Sequence, residues 1–238
     1  MGRAYEVRKA SIEKNGQQKA KLYSMYAREI YQAAKNNPEI ESNDVLKRLV
    51  DKAKKEQVPA DIINRAIDKV KKGVTEDYQV VMYEGFGPGG STVIVKCLTD
   101  NVNRSMSLVR PAFNKTNSKM AGVGAVSYMY DNLCVVGIKD LDEEKALEIM
   151  VNNDINIDDI EVEDGITYIY GDPKDLFTIK KALESEIPNI KYEMDEIGYF
   201  AKEMVSLNGE DLSVFKKLLT MLDDVEDVKE VFHNVSNV

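Results

Sequence analysis

The stretch that decides the fold runs from residue 83 to residue 110, YEGFGPGGSTVIVKCLTDNVNRSMSLVR. Four of the 14 glycines of the chain lie within residues 85–90 of it, together with one proline. Residues 78–84 and 91–98, which flank the glycines, are rich in β-forming side chains and predict two strands joined by a glycine-rich turn. The polar cluster that follows predicts the start of a helix, with Asp100 or Asn101 as the N-cap. This hairpin and helix are the centre from which the rest of the chain is assigned.

The glycine loop matches nucleotide-binding loops in spacing only. Residues 85–90 fit G-x-G-x-x-G, but a dinucleotide fold needs a helix directly after the loop, and here a strand follows. Ser91 stands where a P-loop needs Lys, and the His-Arg-Asp and Asp-Phe-Gly signatures of kinases do not occur. Two roles stay open, a tight turn alone or a close backbone approach to RNA or protein. The candidate partner-contact residues are Tyr83, Gly85, Gly87, Pro88, Gly89, Gly90, Asn103 and Arg104.

Residues 1–76 predict a basic helical head that begins with an arm of about 16 residues. Apolar side chains recur at helical spacing from residue 17 to residue 36 and again in two later segments. Ser42 or Asn43 can cap the second helix, Pro59 can open the third, and Gly73 can end it. The head is therefore predicted to be a three-helix domain.

The residues after the hairpin predict two α/β units. Asp164-Gly165 has the composition of a type I′ turn between strands 157–162 and 166–170. Around this turn, strand and helix patterns from residue 133 to residue 196 follow the order βαββαβ, which is that of a ferredoxin-like unit. Further strands are predicted at 125–130, 203–207 and 228–233, a helix at 209–222, and a kink or early helix end at Pro111. The predicted fold class is α+β with three domains, a three-helix domain followed by two ferredoxin-like α/β domains: 1–76, then 77–133 with 203–238, and 134–202 inserted into the latter.

Charge is distributed unevenly between the head and the rest of the chain. Residues 1–72 carry 17 Lys and Arg against 10 Asp and Glu, a net charge of +7, and the remaining residues carry 15 against 31, a net charge of −16. A basic head on an acidic body predicts a polyanionic partner for the head; the alternative is an ordinary solvated helix surface. Asp61 and Asp68 on the third helix oppose major-groove docking, so backbone contact is favoured over base recognition. The candidate nucleic-acid-binding residues are Arg3, Arg8, Lys9, Lys14, Lys19, Lys21, Arg28, Lys35, Lys52, Lys54 and Lys55.

Catalytic and metal chemistry have little support in the sequence. His233 is the only histidine, and Cys97 and Cys134 lie apart in apolar segments, as buried free thiols do. No apolar run reaches the roughly 18 residues of a membrane span, and the basic N-terminus lacks the apolar core of a signal peptide. We therefore expect a cytoplasmic protein that is not an enzyme, with no cofactor, metal, small-molecule substrate or membrane partner.

Several segments together resemble one known family. YEGFGPGG, CLTDNVNRSMSLVRPAF, AGVGAVSYMY, KAKKEQVPADIINRAIDK and VKEVFHN are similar to the YebC family of bacterial proteins, over nearly the whole chain. The opening MGRAYEVRKAS departs from the common form of the family, which carries His, Ser, Lys and Trp there, and looks like the YeeN-type branch. The resemblance implies three domains and no enzymatic activity.

The resemblance also implies two kinds of regulation. Members are commonly labelled DNA-binding transcriptional regulators, whereas others, including the mitochondrial translational activator of cytochrome oxidase, act in translation at the ribosome, with polyproline stalls as a proposed target. Two hypotheses from different classes follow. The first is a nucleic-acid-binding regulator, with DNA or ribosomal RNA as its target and the ribosome as a possible partner. The second is a protein-binding adaptor that works through the acidic body.

Overall fold

The computed structural model of the protein describes residues 19–238, which form a helical head and two four-stranded antiparallel sheets. In chain order the elements are α1 (Lys19–Ala34), α2 (Asp44–Lys55), α3 (Ala60–Lys71), β1 (Gln79–Phe86), β2 (Thr92–Thr99), α4 (Val102–Asn114), β3 (Lys119–Ala121), β4 (Tyr130–Lys139), α5 (Glu143–Asn152), β5 (Asp159–Glu163), β6 (Ile166–Gly171), α6 (Leu176–Glu186), β7 (Tyr192–Ala201), α7 (Gly209–Asp223) and β8 (Val228–His233). The α+β class predicted from the sequence is confirmed.

The head packs its three helices around one apolar core. Ile30, Leu46 and Ile67, one from each helix, are buried in it. The helix boundaries follow from local chemistry. The side chain of Asn43 accepts a hydrogen bond from the backbone N–H of Leu46 at the start of α2, and Gly73 takes a positive φ just after α3. A cap of this kind satisfies an N–H that the helix itself cannot bond.

The two sheets interleave along the chain. The first has the strand order β3-β1-β2-β8 and the second the order β5-β6-β4-β7. Because β8 pairs with β2, with Val93 opposite His233, the first sheet is completed only after the chain has built the second. Each sheet carries its two helices on one face, α4 and α7 on the first and α5 and α6 on the second. The exact domain boundaries given above remain a prediction.

The second sheet has the predicted βαββαβ connectivity, and its β5–β6 hairpin turns at Asp164 and Gly165, both with positive φ. The first sheet has the same spatial pattern of four antiparallel strands, but the chain visits them in a different order. There, β1 and β2 form the central hairpin, and β3 and β8 are added at opposite edges.

Three local predictions differ from the structure. Residues 125–130 are not a strand: a short 3-10 turn, Ser127–Met129, precedes β4, because backbone N–H groups in this segment bond to the Glu84 carboxylate instead of a neighbouring strand. Residues 203–207 contribute only one parallel bridge, between Val205 and Val235. Helix α4 continues past Pro111 to Asn114, and the N–H of residue 115 still bonds to the carbonyl of Pro111, so the early helix end at this proline is wrong and the kink stays a prediction.

None of the helices within residues 19–238 combines the length and the apolar character that a bilayer crossing requires.

Candidate nucleic-acid interface

Part of the basic surface of α1 is turned towards the body. The Arg28 guanidinium donates to the carboxylate of Asp227 at 2.9 Å, to that of Glu226 at 2.5 Å and to the carbonyl of Leu98 at 3.2 Å. Lys21 donates to the carbonyl of Asp223 at 2.6 Å, and burial holds the pKa of this lysine below its usual value. These two residues, predicted to bind nucleic acid, are therefore engaged inside the chain.

Asp227 is the centre of this contact. Its side chain is only 2% exposed, and besides Arg28 it accepts from Arg104 at 3.1 Å and from the Thr99 hydroxyl at 3.0 Å. Next to it, Glu29 of α1 forms an ion pair with Lys229. Arg104, one of the predicted partner-contact residues, thus joins α4 to the same carboxylate that holds Arg28 of α1.

A second group of ion pairs joins α2 to the β4–β7 sheet. Arg48 contacts Asp195 at 2.6 Å, Lys180 contacts the same carboxylate at 2.6 Å, and Lys52 contacts Glu196 at 2.8 Å. Burial alone would raise the pKa of Asp195, but the two cations outweigh it and hold this pKa below its usual range. Lys52 is therefore also engaged within the chain, so it adds less to an outward basic surface than the sequence suggested.

The remaining predicted head lysines face solvent. Lys19 at the start of α1 is exposed, and Lys54, 67% exposed, has only a loose contact with Asp51 at 3.8 Å. Lys55 is exposed near the carbonyl of Tyr192, at 3.5 Å, and Lys35 pairs at 3.1 Å with the exposed Asp77. The arm residues Arg3, Arg8, Lys9 and Lys14 lie outside the described residues.

The glycine loop is explained largely by packing within the chain. A Cβ on Gly85 would lie 2.3 Å from the Phe113 ring and 2.9 Å from the carbonyl oxygen of Lys119. A Cβ on Gly87 would meet the Ser91 hydroxyl at 2.5 Å, and one on Gly89, where φ is +61°, would meet the Leu207 side chain at 2.5 Å. The hairpin tip therefore lies tightly against its own domain.

The other residues of the predicted contact loop divide into buried and exposed ones. Tyr83 is buried, and its hydroxyl donates to the carbonyl of Val102 at 3.3 Å. Pro88 accepts from the Ser91 hydroxyl at 2.6 Å, whereas Asn103 is exposed on α4. A partner role for this loop stays a prediction, and its glycines do not need one to be explained.

Comparisons with known proteins agree with this architecture. One family model, described as the TACO1/YebC protein N-terminal domain, matches residues 3–73, and another, described as the TACO1/YebC second and third domain, matches residues 78–235. The chain belongs to the TACO1/YebC family. The family resemblance stated from the sequence motifs is confirmed.

Individual relatives of this TACO1/YebC chain match over almost their full length. A probable transcriptional regulatory protein of Shewanella oneidensis is 45% identical over 235 residues, and one of Alteromonas mediterranea is 43% identical over 235 residues, each alignment covering 98% of both chains. The crystal structure of a conserved hypothetical protein from Aquifex aeolicus superimposes with a TM-score of 0.75 at 31% identity, covering 94% of this chain and 92% of that one.

The residues with the most reactive side chains are held in packing roles in this family member. Burial raises the pKa of Cys97 and of Cys134 to about 11 each, so both thiols are protonated at neutral pH. The His233 ring is buried edge-on against Phe215, with 5.3 Å between the ring centres. No group of three or more potential metal ligands occurs in the part of the chain from residue 19 onwards.

Sequence reasoning missed one anchoring side chain. The Glu84 carboxylate is buried and accepts the backbone N–H groups of Gly124 at 2.8 Å, Val126 at 2.6 Å and Ser127 at 2.9 Å. Burial would raise the pKa of Glu84, but these three donors outweigh it and hold the pKa below its usual value. The only sequence feature that indicated this role was the position of Glu84, a charged residue at the end of a predicted strand and directly before the glycine-rich loop.

Proposed function

We propose that this TACO1/YebC protein is a non-enzymatic regulator of gene expression that binds the nucleic-acid backbone through the outward basic residues of its head. The observation that carries the proposal is the charge segregation, +7 over residues 1–72 against −16 over the rest. Relatives named probable transcriptional regulatory proteins support the regulatory class. The protonated thiols and the packed histidine support the absence of catalysis.

The head cations fall into two groups by the contacts that they make. Lys21, Arg28, Arg48 and Lys52 hold the head on the body. Lys19, Lys54 and Lys55 remain open to solvent, and the last two lie together in the final turn of α2. Released counterions make each phosphate contact of such lysines favourable at low salt and weak at high salt.

The arrangement favours contact with phosphates over recognition of base edges. Asp61 and Asp68 are exposed on α3, and Asp61 pairs with Arg65 at 2.6 Å. Two carboxylates on the exposed face of the third helix would be brought close to phosphates if that helix entered a major groove. The proposed interface is therefore the α1 start and the α2 end, not the α3 surface.

The test compares salt dependence between matched variants. The double variant Lys54→Gln/Lys55→Gln is expected to bind nucleic acid more weakly at low salt and to reduce the log–log salt slope by about 1.8 on duplex DNA, or about 1.4 on single strands, which corresponds to two lost phosphate contacts. Anisotropy titrations with labelled duplex DNA and labelled RNA at several salt concentrations give both quantities.

The matched control is Lys216→Gln/Lys217→Gln, which removes two adjacent exposed lysines from α7. This control is expected to keep the wild-type slope. Equal slopes for the wild type and both double variants would overturn the proposed interface, and no binding of either nucleic acid by the wild type would overturn the proposed function.

The choice between DNA and ribosomal RNA stays a prediction from the family resemblance. Co-sedimentation of the full chain with ribosomes, run beside DNA binding at the same salt, separates them. Ribosome association that survives loss of the exposed head lysines would favour the adaptor hypothesis, in which the acidic body makes the contact.

A further inference from the structure

Residues 101–130 form a basic island in the acidic body. They contain four Lys or Arg and no Asp or Glu, although residues 73–238 as a whole carry a net charge of −16. Within the described chain, Lys115 and Lys119 of this island form no ion pair and are exposed. The carboxylates at its two ends are paired, Asp100 with Arg104 at 2.6 Å and Asp131 with Lys202 at 3.4 Å.

The sheet register places an aromatic ring beside one of these lysines. Phe86 lies directly opposite Lys119 in the pairing of β1 with the edge strand β3. Gly85, the residue before Phe86 on β1, faces α4, because a Cβ on it would overlap the ring of Phe113 in that helix. Phe86 and Lys119 therefore share the other face of the sheet, which α4 does not cover.

The loop after β3, whose backbone is bonded to Glu84, carries two exposed large side chains. Val123 is 93% exposed and Tyr128 is 64% exposed, although both lie in a segment whose backbone is fixed. Glu84, on the same face as Phe86, fixes it through three backbone N–H groups, and the charge of this glutamate is buried in the process. The backbone between Val123 and Tyr128 is therefore fixed over the face of the sheet that carries Phe86.

We propose that Phe86, Lys119, Val123 and Tyr128, here called the β3-edge patch, bind single-stranded RNA. This inference rests on the proposed function and adds a second contact, distant in sequence from the head. Unpaired bases stack on Tyr and Phe rings, and an unpaired lysine beside them contacts the phosphate that joins two bases.

The chemistry of the patch selects this partner over others. A duplex hides its base faces, whereas a short single strand needs only rings and local positive charge. RNA presents splayed bases in loops and ends, while DNA is mostly paired, which is the reason for choosing RNA. The exposed Lys115 and Lys119 also disfavour a basic peptide as the partner.

The first experiment uses the chain's lack of tryptophan. In the full-length Tyr128→Trp variant the only indole reports on the patch, and stacking of a base on it is expected to quench its fluorescence when oligouridylate is added. Val151→Trp, at a site on α5 that is likewise 64% exposed, is the control and is expected to show no quenching. Equal responses of the two variants would overturn the proposal.

The second experiment measures affinity by anisotropy of labelled oligouridylate. Tyr128→Ala is expected to weaken binding about 5- to 150-fold, the effect of one lost stacking contact. Lys119→Gln is expected to lower the salt slope by about 0.7, whereas Lys217→Gln on α7 leaves it unchanged. Because the substituted side chains are exposed, an unchanged melting temperature confirms that the variants are folded.

The outcomes separate this inference from the proposed function. Wild-type affinity for oligouridylate in both patch variants would overturn the patch and leave the head contact standing. Loss of affinity in the patch variants, with head variants unaffected, would support the patch and overturn the head interface. Patch-dependent binding of oligothymidylate without binding of oligouridylate would overturn the choice of RNA.

Discussion

Replacing Asp227 by alanine tests whether the head is held on the body by a buried charge. In the native chain this carboxylate accepts from Arg28, Arg104 and Thr99. The Arg28 side chain is only 12% exposed, so after Asp227→Ala it keeps the Leu98 carbonyl and Glu226 but cannot move into water. Arg104 is 43% exposed and keeps Asp100, so it is affected far less.

The magnitude follows from this difference in burial. Removing one partner of a buried ion pair costs about 3–5 kcal/mol, because an uncompensated charge is left behind. Arg28 retains two acceptors, so we expect the lower end, about 3 kcal/mol. For a chain of this size that corresponds to a fall in melting temperature of about 6–12 °C. Arg104→Ala, an exposed partner, is expected to cost about 1 kcal/mol or less.

Thermal unfolding followed by circular dichroism measures both effects, and a cycle of Arg28→Met, Asp227→Asn and the double variant isolates the coupling between the two residues. A fall of less than about 3 °C for Asp227→Ala, or an equal fall for Arg104→Ala, would show that this buried charge does not hold the head on the body. Zero coupling in the cycle would show that the two side chains do not support each other in solution.

Three further outcomes are expected. Gly85→Ala should destabilise the protein by about 3 kcal/mol in urea unfolding, because the added methyl group overlaps backbone and ring atoms. Gly90→Ala, where φ is +80° and the space is open, should cost about 1 kcal/mol. Equal costs for the two variants would exclude the close approach at Gly85 as the cause. The Glu84 pKa is lower in the folded chain than its usual value of 4.5, so the stability it contributes is present above that value and is lost as pH falls through the lower folded pKa. Glu84→Gln should therefore be less stable at neutral pH and have a flatter stability curve as the pH falls below about 5, and an unchanged acid limb would contradict this. Cys97 and Cys134 should resist a thiol reagent at about pH 8 in the native protein and both react in urea, while rapid native labelling would show that burial does not keep them protonated.

The features that the sequence predicted well depend on a few neighbouring residues. Asn43 and Asn101 cap their helices through their own side chains, and Asp164-Gly165 forms its turn because both residues accept a positive φ. These preferences act within one turn of backbone, so distant parts of the chain do not change them.

The features that the sequence did not predict depend on contacts between segments that are far apart in the chain. Arg28 looked like one more solvent-facing cation because its partner, Asp227, lies 199 residues downstream. Arg48 and Asp195 are 147 residues apart, and no local pattern connects them. Strand β3 has only three residues and forms because its backbone pairs with that of β1. The sequence therefore predicted the net positive charge of the head. Which head lysines face solvent could be determined only from the packing of the head on the body.

The position of β8 in the chain, after the whole β4–β7 sheet, affects the order in which the protein can fold during synthesis. During synthesis the head and all four strands of the β4–β7 sheet can be complete while β2 still has an unpaired edge, because its partner β8 follows that sheet in the chain. The residue that anchors the head, Asp227, immediately precedes that strand. Closure of the first sheet and formation of the Arg28–Asp227 pair therefore follow completion of the second sheet, whereas the Arg48–Asp195 and Lys52–Glu196 pairs do not depend on β8.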